Sequence, residues 1–199
     1  VDRERIEETT QRVLDGIVPA RRMFGLETVP PMKAVVVNTR DEADRTFPPA
    51  TRAARRAHLY GGFAYGEFDL FVVLGADANA MVHEAVHLML EEATKTQPRP
   101  PVWLNEGLAM YFEPGSGGRQ TTVERAARDD RLMPLRSMNR VPGRPADVGL
   151  FYAQARNVVE YMMEVFAEEK MAALLGAINE GKHIDQSVED SYGMSLEEL

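Results

Sequence analysis

The chain has 199 residues, 44% of them hydrophobic and 27% charged, with no cysteine. This length fits a single domain, and the missing cysteines exclude a disulfide framework, a thiolate nucleophile and any Cys-ligated metal site. The net charge of −8 resides in residues 157–199, which hold ten acids and two bases, so the rest is balanced and carries no basic nucleic-acid footprint.

Taken in chain order, residues 2–18 place Ile6, Val13, Leu14 and Ile17 at helical spacing, which predicts an amphipathic helix that Pro19 ends or bends. Residues 32–37 are short and β-branched and read as a strand. Residues 42–57 read as a helix broken near Pro48 and Pro49, and the arginines at 52, 55 and 56 as its solvated face. Residues 61–65 and 69–74 read as two strands of a hairpin turning at Gly66 and Glu67. A helix over 77–94 follows, with Asp77 or Asn79 as N-cap. The proline-rich stretch 96–101 separates it from a second, strongly apolar helix over 102–112. The glycine-rich stretch 114–118 breaks that helix. Further helices are expected over 122–130, 147–169 and 169–179, and the start of another at 195–199. The order of one helix, a small sheet and then helices predicts an α+β fold. No apolar run approaches the roughly 18 residues a membrane span needs. Val1 is followed by no leader-like segment, so the expectation is a mature form or an excised domain.

The chemistry concentrates in His83-Glu84-Ala85-Val86-His87. Residues four apart stand above one another on a helix, so both imidazoles reach one metal ion. Glu84, one position further round, reaches a water on that ion and can take its proton. Glu106 stands 19 positions after His87 on the following helix. A carboxylate there completes the two-His, one-Glu set of catalytic zinc sites, with one position open for water. Asn105 and Glu113 are candidates for orienting the histidines. His58 and His183 are isolated and read as structural or solvated, and the methionines at 81, 89, 110, 162 and 163 as core filler.

The segment HEAVH, 18 intervening residues and then Glu106 within Trp103-Leu104-Asn105-Glu106-Gly107-Leu108-Ala109 resembles the gluzincin zinc metallopeptidases. The words and spacing are similar to the aminopeptidase N-like catalytic core, and the size and C-terminal half to smaller peptidase MA-like domains. The resemblance covers roughly residues 60–199. It implies a single zincin-like (thermolysin or gluzincin type) domain over 1–199, divided as 1–76 (helices, small sheet and substrate edge strand), 77–113 (metal-binding helices) and 114–199 (helical part). It implies Zn2+ held by His83, His87 and Glu106, with Glu84 as general base and a peptide or protein as substrate. It also offers Tyr152, in a tyrosine-x-glutamine opening, as donor to the developing oxyanion, although its helical phase with Ala155, Val159 and Met163 reads equally as core. Residues 61–65 are the expected substrate-pairing edge. The aminopeptidases' glycine-x-methionine-glutamate-asparagine motif has no counterpart there, apart from a loosely placed Glu67. Endo- and exopeptidase readings therefore both stay open. So do a catalytically silent zinc module and a metallohydrolase of another substrate. The resemblance leans to an extracytoplasmic location; the oligomeric state is left unassigned.

Overall fold

A computed structural model describes residues 3–48, 61–115 and 120–199. Helix α1 spans Arg3–Met23. It runs through Pro19 where the sequence predicts an end or a bend, because Ile17, Ala20 and Met23 on either side of the proline are all buried. Core burial there outweighs the lost backbone donor. Strand β1 (Lys33–Val37) leads to α2 (Arg40–Thr46). The helix starts two residues earlier than expected because Thr39 caps it. The Thr39 hydroxyl accepts from the Glu42 amide, and the Glu42 carboxylate accepts from the Thr39 amide. The expected continuation to 57, the three arginines and His58 lie outside the described residues.

Strands β2 (Gly62–Tyr65) and β3 (Leu70–Leu74) form the expected hairpin, joined by a short 3-10 turn over Gly66–Phe68. The sheet order is β1-β3-β2, with β1 parallel and β2 antiparallel to β3. Alternation along β3 supplies two apolar layers. Phe71 and Val73 join the main core, while Val72 packs with Val37, Ala43 and Phe47 on the other face.

The helical layer comprises α3 (Ala78–Ala93), α4 (Val102–Phe112), α5 (Gln120–Arg128), α6 (Pro145–Phe166), α7 (Glu168–Asn179) and α8 (Ile184–Tyr192). Helix α6 packs closely on α4. A Cβ at Gly107 would stand 2.5 Å from the Ala155 carbonyl oxygen and 2.7 Å from a Val159 methyl. A corresponding close approach joins α1 to α3, where a Cβ at Gly16 would meet Val82 at 2.7 Å. The separation of α6 from α7 falls at Ala167, which adopts φ +69°.

Two expectations at the C-terminus need correction. Residues 184–192 form a helix the sequence reading passed over, anchored by buried Val188 and Tyr192. Residues 195–199 form a turn and not a helix: the Ser195 amide and hydroxyl both donate to the Glu198 carboxylate, and Leu196 is buried. The whole is α+β with a small mixed sheet. No helix among the described residues is long and apolar enough to cross a membrane.

Candidate metal centre

The position of the site follows from how α3 and α4 are seated. The Asp77 carboxylate accepts from the Asn79 amide at 2.9 Å and fixes where α3 begins. Met81, Val82, Ala85, Val86 and Met89 are buried and fix its roll about its axis. That roll turns His83, Glu84 and His87 toward the space between β2 and α4. The expected span of α3 ends where the Thr94 hydroxyl donates to the Leu90 carbonyl at 2.7 Å. In α4, buried Trp103, Leu104, Gly107 and Leu108 set the roll and leave Asn105 and Glu106 facing α3.

The two histidine rings stand 4.8 Å apart at 82° to one another. His83 Nε2 and His87 Nε2 each lie 3.5 Å from the same oxygen of Glu106. The Nδ1 atoms are held from behind. His83 Nδ1–H donates to Glu113 at 3.2 Å, and His87 Nδ1–H donates to the Asn105 side-chain oxygen. These are the partners the sequence offered for orienting the rings. Holding Nδ1 fixes the tautomer and aims Nε2 at the shared point. Among the described residues, His83, His87 and Glu106 are the one group of three whose ligand atoms converge, all within 4.8 Å of one another. A tetrahedral ion with ligands at 2.0–2.2 Å would space them about 3.4 Å apart. The two 3.5 Å separations therefore fit a small divalent ion with a nitrogen- and oxygen-donor set.

Burial and charge oppose one another within the cluster. Burial pushes the His83 imidazole down, but hydrogen bonds to Glu106 and Glu113 more than reverse this and hold it at about 10. His87 shifts up in the same sense, against its burial, chiefly through the charge of Glu106. Burial would raise the Glu106 carboxyl, yet the two histidines bring it down to about 2. Glu84 differs. Burial pushes its carboxyl up, and the histidine charges only partly oppose that. A carboxylate held above its ordinary range is a better proton acceptor near neutrality.

Glu84 is 6% exposed and lies directly beneath strand β2. A Cβ at Gly62 would stand 2.7 Å from its Cγ and from one carboxylate oxygen, so a side chain there would displace the Glu84 carboxylate. The cleft above the cluster has a volume of about 620 Å³, within the range of small-ligand sites. Gly62, Phe63 and Ala64 form one wall, α3 and α4 the floor, and residues 141–145 a further rim. Among the described residues, strand β2 is an edge of the sheet, as expected, and it borders the cleft.

The remaining candidates lie elsewhere. Tyr152 is 6% exposed, packs edge-on against Phe151 in the main core and does not border the cleft. Its neighbour Gln154 clamps the segment before α6, donating to the Met133 carbonyl at 2.6 Å and accepting from its amide at 2.9 Å. Glu67 does not border the cleft. His183 precedes α8, and its carbonyl accepts from Ser187. Met81, Met89, Met110 and Met162 are core residues, as read. The sequence reading missed the contact of Gly62 with Glu84 and the presence of Arg99 on the cleft; neither belongs to a local pattern.

Residues 55–199 match the model of a known family, described as the Peptidase MA superfamily. No curated protein and no solved structure matches the chain.

Proposed function

The chain belongs to the Peptidase MA superfamily, and we propose that it is a zinc-dependent peptidase of the gluzincin type with a zincin-like catalytic domain. Membership carries a metallopeptidase-like function. The observation that supports the finer reading is the convergence of both Nε2 atoms on one Glu106 oxygen with Glu84 beside them in the cleft. His83, His87 and Glu106 would hold zinc, which supplies a Lewis-acidic centre that polarises a carbonyl and lowers the pKa of water. Glu84 takes a proton from the attacking water as its oxygen bonds to the peptide carbonyl carbon. It returns that proton to the leaving amine as the C–N bond breaks. Burial of Glu84 keeps this proton exchange away from solvent. Asn105 and Glu113 hold the imidazoles in one orientation throughout. The edge of β2 that borders the cleft lines up an extended substrate by main-chain hydrogen bonds.

The test is Glu84→Gln. The variant should bind one zinc per chain by elemental analysis and lose about a thousandfold or more in peptide turnover. Wild-type turnover in Glu84→Gln would overturn the mechanism. One bound zinc with no peptide cleaved by the unaltered protein would favour the silent module or a substrate other than peptide.

A further inference from the structure

We propose that the Arg99–Glu91 pair forms a subsite of the cleft for a carboxylate of the substrate, about three residues from the bond that is cut. The inference rests on the peptidase reading of the cleft and adds a substrate class to it. Among the described residues that border the cleft, Arg99 is the one lysine or arginine. Its guanidinium is anchored by Glu91, with Nη2 2.9 Å from Oε1. The Glu91 carboxylate in turn lies against the backbone of residue 66, in the space a side chain there would occupy.

Both side chains of the pair stay accessible, Arg99 at 42% and Glu91 at 43%. Glu91 has one oxygen engaged by Arg99 and the other pressed on the backbone of residue 66. Arg99 meets Glu91 through Nη2. A guanidinium offers five N–H donors in a planar fork suited to a second carboxylate. Arg99 can therefore hold Glu91 and a substrate carboxylate together. An adjoining recess of about 130 Å³ also holds Asp69, Glu92 and Lys95, but of the charged residues there only Glu91 and Arg99 border the cleft as well.

The spacing comes from α3. Glu84 lies under Gly62, where β2 begins, and Glu91 under Gly66, just past its end, so α3 and β2 run along the cleft together. Seven helical residues rise about 10 Å, the length of about three residues of extended chain. A peptide whose scissile carbonyl sits at Glu84 thus presents its third residue, or its terminus, to Arg99.

The experiment uses a matched set of synthetic peptides. Glu or Gln is scanned through four positions on each side of the cleaved bond, and each peptide carries either a free or an amidated C-terminus. Binding is measured to the zinc-loaded Glu84→Gln protein by calorimetry, and kcat/KM to the unaltered protein. We expect one position to favour Glu over Gln by about tenfold, the scale of one charge-assisted hydrogen bond. That ratio should fall to near one in Arg99→Gln and invert, with Gln favoured over Glu, in Arg99→Glu. If the preference follows the free C-terminus and not a side chain, the carboxylate recognised is terminal. Arg99→Lys, with an unchanged melting temperature, should keep part of the ratio. Cleavage with no acid preference at any position overturns the subsite and leaves the peptidase reading standing. An Arg99-dependent acid preference in binding without turnover supports the subsite and overturns the peptidase reading. A Glu-to-Gln ratio unchanged in Arg99→Gln overturns the subsite.

Discussion

The two sides of α4 are built on opposite principles. Toward α6 it presents Gly107, whose backbone nearly touches that of Ala155, and Trp103, Leu104 and Leu108 are buried with it in the main core. Toward α3 it presents Asn105 and Glu106, which meet two histidines by charge and hydrogen bonds. The apolar side is close-packed and has no slack, so it defines where the helix lies. The polar side inherits that position and costs stability unless each group finds its partner. A carboxylate aimed at two imidazoles within half an ångström of an ion's needs is thus a product of packing on the far side of the helix.

The comparison is broken most directly at Gly107. Gly107→Val would drive a side chain into Ala155 and Val159 and cost about 2 kcal/mol, read as a melting temperature lower by about 4–8 °C. If α6 positions the donor set, zinc affinity measured by competition with a chelator falls in the same variant, though no ligand was changed. Retained affinity would mean that α3 and α4 hold the set alone. On the polar side, Glu113→Gln removes the charged partner of His83 and should weaken zinc binding by about tenfold or more, with a melting temperature close to that of the unaltered metal-free protein.

A pH series sharpens the contrast, since the apolar side does not titrate. In the metal-free protein His83 is raised to about 10, so its contribution is present in full below its ordinary value of 6.5 and lost as pH rises toward 10. Glu106 is lowered to about 2, so its contribution is present in full above its ordinary 4.5 and lost as pH falls toward 2. Metal-free stability should therefore be greatest between pH 4.5 and 6.5. The added stability on loading zinc should grow as pH rises, because the ion competes with protons for the same nitrogens. Thermal melts with and without zinc across this range check both signs. The smallest effect is expected at Tyr152→Phe. Core burial predicts unchanged kcat/KM; a loss of about a hundredfold would return the hydroxyl to the oxyanion role read from the sequence.

Local patterns were legible where one element's own periodicity decided the outcome. The turn at Gly66 and Glu67 between two short apolar runs marked the β2–β3 hairpin, the Asp77 cap marked the start of α3, and the spacing of His83, His87 and Glu106 marked the cluster. Helix α8 was passed over because its apolar residues, Ile184, Val188 and Tyr192, are few and set among polar ones, although they recur every fourth residue. The Thr39–Glu42 capping box was equally visible and unread. What no local pattern contains is the packing of distant segments. Tyr152 faces the core because α6 lies against α4, and Glu84 is covered because Gly62 arrives from another strand.

The convergence of His87 with Glu106 has a consequence for the order of assembly. These residues are 19 apart in the chain, whereas Gly107 and Ala155 are 48 apart. Loop-closure entropy grows with the logarithm of length, so bringing the donors together costs about 0.8 kcal/mol less than docking α6. Every donor and every group that orients it lies between residues 83 and 113. An ion captured by a growing or refolding chain would cross-link α3 to α4 before the helices that later clamp them have formed, acting as a template for the fold as well as a reagent.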